Sequence, residues 1–141
     1  MLDSKLVESI TVLAHQAGDA IMSIYQRDFA IYEKSDKSPL TEADLAAHNC
    51  IVDGLKAVSD LPILSEESAN IPWSERQTWT QYWLVDPLDG TKEFIKKNGE
   101  FTVNIALIDN GEPVFGVVYA PVLKQTYVGI VGKGAYKLEG D

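Results

Sequence analysis

From Leu6 onward the apolar positions Leu6, Ile10, Leu13, Ala14, Ala17, Ile21 and Ile24 recur at steps of three and four. That is the period of one helix face, so the pattern predicts a long first helix with a polar opposite side. Residues 33–40 are polar, and Pro39 disfavours helical geometry at Ser38. Thr41 then stands where an N-cap belongs, and a second helix is expected from about Glu42 to Val58. Beyond it the apolar runs shorten. Residues 62–65 and 82–85 read as buried strands joined by an irregular connection over residues 70–80. A short helical piece is expected at residues 91–97, followed by strands at 101–109, 114–119, 126–131 and 135–138. Asn110-Gly111 and Gly132-Lys133-Gly134 are turn signals between those strands. The order helix, helix, sheet predicts an α+β or layered α/β fold, with two N-terminal helices packed on a largely antiparallel sheet.

Composition narrows the class. A chain of 141 residues, 45% of them apolar, can bury the core of one globular domain, and no internal repeat or linker divides it. No apolar run is long enough to span a membrane, and the first ten residues carry two acids and a lysine, so neither a span nor a secretory signal is read. A cytoplasmic location is expected; no segment encodes peripheral membrane association. The single Cys50 excludes an internal disulfide and sits in a helical pattern as a small buried residue, with a reactive thiol as the alternative. The net charge of −9 argues against a nucleic-acid polymer as partner. A small phosphorylated ligand remains possible if a cation such as Mg²⁺ stands between the acids and the phosphate.

Three places offer hard oxygen ligands of the kind Mg²⁺ takes. Glu66-Glu67 follows the first expected strand, and Asp86-Pro87-Leu88-Asp89 follows the second. Pro87 is expected to turn the chain so that both aspartates, with the Leu88 carbonyl, face one side. Gly90-Thr91 comes next, where a missing side chain and a helix start would present N–H groups to phosphate. Taken singly, an acidic pair reads as solvated loop residues and Asp-x-x-Asp as chance; their shared placement at two strand ends raises the metal reading. Asp44 alone reads as a first-turn acid of a helix capped by Thr41. His48 reads as a helix-surface residue and His15 as uninformative. No Cys/His cluster suggests zinc.

The stretch Trp83-Leu-Val-Asp-Pro-Leu-Asp-Gly-Thr-Lys-Glu-Phe94, with Ser38-Pro-Leu-Thr-Glu-Ala-Asp44 and Leu64-Ser-Glu-Glu-Ser68 before it, resembles three ordered motifs of the inositol monophosphatase family of lithium-sensitive, Mg²⁺-dependent phosphatases. Lys92-Glu93-Phe94, in place of a DGTxNF form, makes it most similar to the bacterial 3′(2′),5′-bisphosphate nucleotidase branch. The resemblance implies hydrolysis of 3′-phosphoadenosine 5′-phosphate to AMP and phosphate, a step that clears a by-product of sulfate assimilation. It further implies two or three Mg²⁺ ions in the complete site, held by Glu66, Asp86, the Leu88 carbonyl and Asp89, with Asp86 bridging. Gly90 and Thr91 hold the scissile phosphate; Glu66, Leu88 and Asp89 border it. Asp44 and the Thr91 hydroxyl orient and deprotonate the attacking water, and Glu67 stands behind the ligands.

The sequence departs from the family pattern in having no Trp-Asp-x-Ala-Ala-Gly motif, which carries a further metal ligand in the second lobe. Residues 1–141 are therefore expected to be the N-terminal metal-binding lobe, with the C-terminal lobe absent and full activity lacking. The alternatives are an inositol-1-monophosphatase, a non-catalytic metal- or phosphate-binding fragment, and a sulfur-nucleotide sensor. Oligomeric state and the contacts to base and 5′-phosphate are left open.

Overall fold

The first helix, α1 (Ser4–Tyr25), buries Val7, Ile10, Leu13, Ala14, Ala17, Ile21 and Ile24, the face that the period of the apolar positions demands. A computed structural model describes residues 4–27, 31–33, 39–67 and 71–139 of the chain. Ser38, Ser68, Asn70, Gly140 and Asp141, which entered the sequence reading, lie outside those residues. Two three-residue strands, β1 (Ile31–Glu33) and β2 (Pro39–Thr41), pair antiparallel where only a polar loop was expected. The second helix, α2 (Glu42–Val58), starts directly after Thr41 and buries Ala43, Asp44, Ala47, Ile51 and Leu55.

The sheet follows: β3 (Ile63–Ser65), a single helical turn α3 (Trp73–Arg76) inside the connection read as irregular, then β4 (Gln81–Asp89). After α4 (Thr91–Ile95) come β5 (Thr102–Asp109), β6 (Glu112–Ala120), β7 (Gln125–Ile130) and β8 (Gly134–Glu139). The six strands lie in sequence order, and only β3 and β4 are parallel. Four hairpin-type connections explain that order, because antiparallel neighbours need no crossover. At the β5–β6 turn Asn110 and Gly111 have φ of 52° and 80°, the left-handed pair that matches the twist of a tight hairpin.

Helices α1 and α2 pack on each other and on one face of the sheet, α1 against β5 and β6, α2 against β4. Trp83, Val85, Ile105, Leu107, Phe115 and Val117 meet the helices in one core. Alternation places Leu84, Val118 and Tyr127 on the other face, where they are exposed. Cys50 is half-buried at the core margin rather than enclosed. Among the described residues, no helix is long and apolar enough to cross a membrane.

Candidate active site

Because β3 and β4 run parallel, with Ser65 opposite Val85, both chains leave the sheet at the same end. Glu66 follows β3 at once, and its N–H donates to the Val85 carbonyl at 3.1 Å. This bond brings the Glu66-Glu67 turn alongside Asp86. Glu66 and Asp89 are exposed, while Glu67 and Asp86 are half-buried.

The segment Asp86–Asp89 does not turn away from the strand as expected; it is the last part of β4. Pairing passes from Asp86 opposite Asn104 to Asp89 opposite Thr102, three steps on β4 against two on β5. The extra residue is a bulge, which is where a strand can hold a proline that has no N–H to give. Pro87 and Leu88 are both buried there. The two aspartates on either side thus stay tied to the sheet rather than to a free loop. Asn104 donates from Nδ2 to Asp89 Oδ2 at 3.3 Å, and its own Oδ1 accepts from the Thr102 hydroxyl at 2.9 Å. Sequence reasoning missed Asn104; its position opposite Asp86 depends on a register that only the bulge defines.

Past the bulge, Gly90 has φ of +99° and caps α4. A Cβ at this residue would stand 2.8 Å from the Glu100 carbonyl oxygen, so both the backbone angle and the space require glycine. The turn delivers Thr91 to Asp44. The Thr91 hydroxyl donates to Asp44 Oδ1 at 2.9 Å, with the Leu88 carbonyl a poorer acceptor at 3.4 Å.

Asp44 is fully buried. Its Oδ2 accepts from the Thr41 N–H at 2.9 Å and from the Thr41 hydroxyl at 2.6 Å. The Thr41 oxygen in return accepts from the N–H groups of Ala43 and Asp44, completing a capping box with aspartate at its third position. The local reading of Asp44 as a first-turn acid is therefore correct but incomplete. One oxygen caps the helix and the other faces Thr91.

Asp86 is pushed up from 3.8 to about 6 by burial first, then by Asp89, Glu66, Glu67 and Asp44. Among the described residues, the charged neighbours acting on it are all acidic, an arrangement that favours proton uptake or a bound cation. Among the described residues, no three carboxylate, imidazole or thiolate groups are already drawn onto one ion-sized point. The donors themselves are all hard oxygens, carboxylates plus the Leu88 carbonyl, and that set fits Mg²⁺ rather than a thiophilic metal.

His48 is only in part a surface residue. It is half-buried on α2, and its Nδ1 lies 2.8 Å from Ser65 Oγ. Desolvation lowers its pKa, with Asp53 opposing and Lys56 assisting. His15 lies elsewhere, its Nε2 2.8 Å from Thr126 Oγ1 and its ring on Tyr119. It borders a groove of about 470 Å³, lined also by Val7, Thr11, Ile130, Tyr136 and Leu138. The acids themselves stand at the open end of the sheet, outside that groove.

Comparison with known proteins identifies the family and the fold. The family model described as the inositol monophosphatase family matches residues 3–140. The 3′(2′),5′-bisphosphate nucleotidase CysQ of Escherichia coli K12 is 55% identical over 137 residues, 95% of this chain and 55% of that protein. The crystal structure of CysQ from Bacteroides thetaiotaomicron superposes with a TM-score of 0.83 at 48% identity, covering 96% of this chain and 49% of that one. The extragenic suppressor protein SuhB from Bartonella henselae gives 0.84 at 28% identity, covering 97% and 53%. The chain thus spans about half the length of the relatives it matches.

Proposed function

The chain belongs to the inositol monophosphatase family, and from that premise we propose that it is the metal-holding half of a Mg²⁺-dependent phosphomonoesterase. The proposed substrate is a 3′(2′),5′-bisphosphate nucleotide, 3′-phosphoadenosine 5′-phosphate, with AMP and phosphate as products. The observation that carries the chemistry is the Thr91 hydroxyl on the buried Asp44 carboxylate, 2.9 Å apart, beside the cluster in which Asp89, Glu66, Glu67 and Asp44 all raise the pKa of Asp86. The nucleotide choice is supported by the identity to the CysQ proteins.

Glu66, Asp86, Asp89 and the Leu88 carbonyl are the residues that would hold the ions, two or three in a complete site. Bound Mg²⁺ lowers the pKa of water and offsets charge on the phosphate. The protein's part follows from the hydrogen bonds. Thr91 gives its own proton to Asp44 Oδ1, so its oxygen lone pairs are free to accept from a water. Asp44 is the base at the end of that relay, held in place by Thr41. The first amides of α4, directly after the Gly90 turn, are the groups from which a phosphate oxygen would accept. Asn104 keeps Asp89 in one orientation.

Phosphate release from 3′-phosphoadenosine 5′-phosphate, assayed with Mg²⁺ on the complete gene product and on the 141-residue chain, tests this reading. The complete product is expected to turn the nucleotide over and the shorter chain to bind Mg²⁺ with little turnover. Hydrolysis of inositol 1-phosphate with the nucleotide untouched would move the chain to the other branch of the family. Comparable activity in the 141-residue chain would remove the requirement for a second half.

A further inference from the structure

Glu66 is the one proposed ligand on β3's side of the site, and its strand is only three residues long. Its backbone is pinned on both sides. The Glu66 N–H donates to Val85, and the next amide, that of Glu67, donates to Ser65 Oγ at 3.3 Å. Ser65 is 1% exposed, so its own proton must find a partner inside the protein. Beside the Glu67 amide, its oxygen meets His48 Nδ1 at 2.8 Å. Ser65 Oγ thus links the Glu67 amide to the imidazole of His48.

His48 follows Asp44 by four residues on α2, a spacing that puts both on one side of the helix. Asp44 reaches across to Thr91, and His48 reaches across to Ser65. One rigid helix therefore touches both segments that carry the proposed chemistry. A half-buried imidazole with no such task would be disfavoured against an aliphatic side chain, which packs there without a polar group to satisfy.

We propose that His48 is a positioning residue. Through Ser65 it sets the β3 exit, and thereby the direction of the Glu66 carboxylate relative to Asp44 and Thr91. The proposal rests on the reading of Glu66 as a metal ligand given above. Groups that hold a metal ligand from behind commonly change affinity about 10- to 100-fold when removed, and an effect of that size is expected here.

The test is Mg²⁺ binding by the 141-residue chain, measured by calorimetry with Mg²⁺ alone, together with hydrogen exchange at the Glu67 amide. His48→Ala and Ser65→Ala are each expected to weaken Mg²⁺ about tenfold or more and to speed exchange at Glu67. The double variant is expected to be no weaker than either single one. His48→Asn, which places an acceptor near the Nδ1 position, is expected to restore most of the affinity. A merely structural histidine would lower the melting temperature of His48→Ala while leaving Mg²⁺ affinity at the wild-type value, and that outcome overturns the proposal. So does a His48→Asn chain as weak as His48→Ala. If the wild-type chain fails to bind Mg²⁺, the ligand assignment itself fails and this inference falls with it.

Discussion

The Thr91 hydroxyl donates to Asp44 Oδ1 across 2.9 Å, although the two residues are 47 apart in sequence. Each is held independently, Asp44 by the helix cap it makes with Thr41 and Thr91 by the left-handed turn at Gly90. Their contact thus reports how α2 is seated against the end of β4.

Replacing Asp44 with Asn removes the proton acceptor while keeping a side-chain oxygen for the cap. Turnover by the complete gene product is expected to fall about 100-fold or more, within the range for loss of a general base. Mg²⁺ affinity, measured by calorimetry, is expected to hold. Undiminished phosphate release would reduce Asp44 to a capping residue.

Thr91→Val deletes the hydroxyl and leaves the shape. The expected result is a lower kcat with little change in KM, since in the proposed mechanism the lost hydrogen bond serves the attacking water. Thr91→Ser restores the hydroxyl and is expected to recover most of the rate. A serine variant as slow as the valine variant would point to packing instead.

Asp86 titrates at about 6 in the folded chain against an ordinary 3.8. Between those values the folded state binds more protons than the unfolded state, so stability falls as pH rises from about 4 to 6. The contribution of this group should therefore make the metal-free chain melt higher at pH 5 than at pH 7.5. Asp86→Asn should flatten that difference and raise the metal-free melting temperature at pH 7.5, while abolishing stabilisation by Mg²⁺. Thermal scans with and without Mg²⁺ at the two pH values decide it.

Gly90→Ala is expected to destabilise the fold by about 2 kcal/mol, from left-handed backbone strain and from a Cβ set 2.8 Å from the Glu100 carbonyl. The melting temperature should drop by roughly 5 °C or more. An unchanged melting temperature would mean that the turn relaxes without cost, and the case for Gly90 as the hinge into α4 would go with it.

Much of the architecture was legible because it is local. The face of α1 is set by spacing within one helix, and the start of α2 by Thr41 and Asp44, three residues apart. The strands from β5 to β8 announce themselves by alternation and by the turn residues between them. The β1–β2 pairing was not legible, since three residues on each side are too few to carry a periodic signal.

Pro87 shows the limit most clearly. Read locally, a proline after an apolar run ends a strand; in the fold it occupies a bulge and β4 continues to Asp89. The cause is the partner strand, which supplies Asn104 and Thr102 in a register that skips one residue. His48 was read incompletely for the same reason, because its partner Ser65 lies 17 residues away and an amphipathic pattern cannot name it.

The sequence by itself determined which residues offer oxygen donors, where the helices begin and which family the motifs resemble, since all three rest on residue type and short spacing. Only the tertiary structure decided that Asp44 faces Thr91, that Asp89 is steadied by Asn104 and that His48 stands behind the Glu66 turn. Those relationships depend on how helix α2 is seated on the sheet and on a one-residue register shift, and packing sets both.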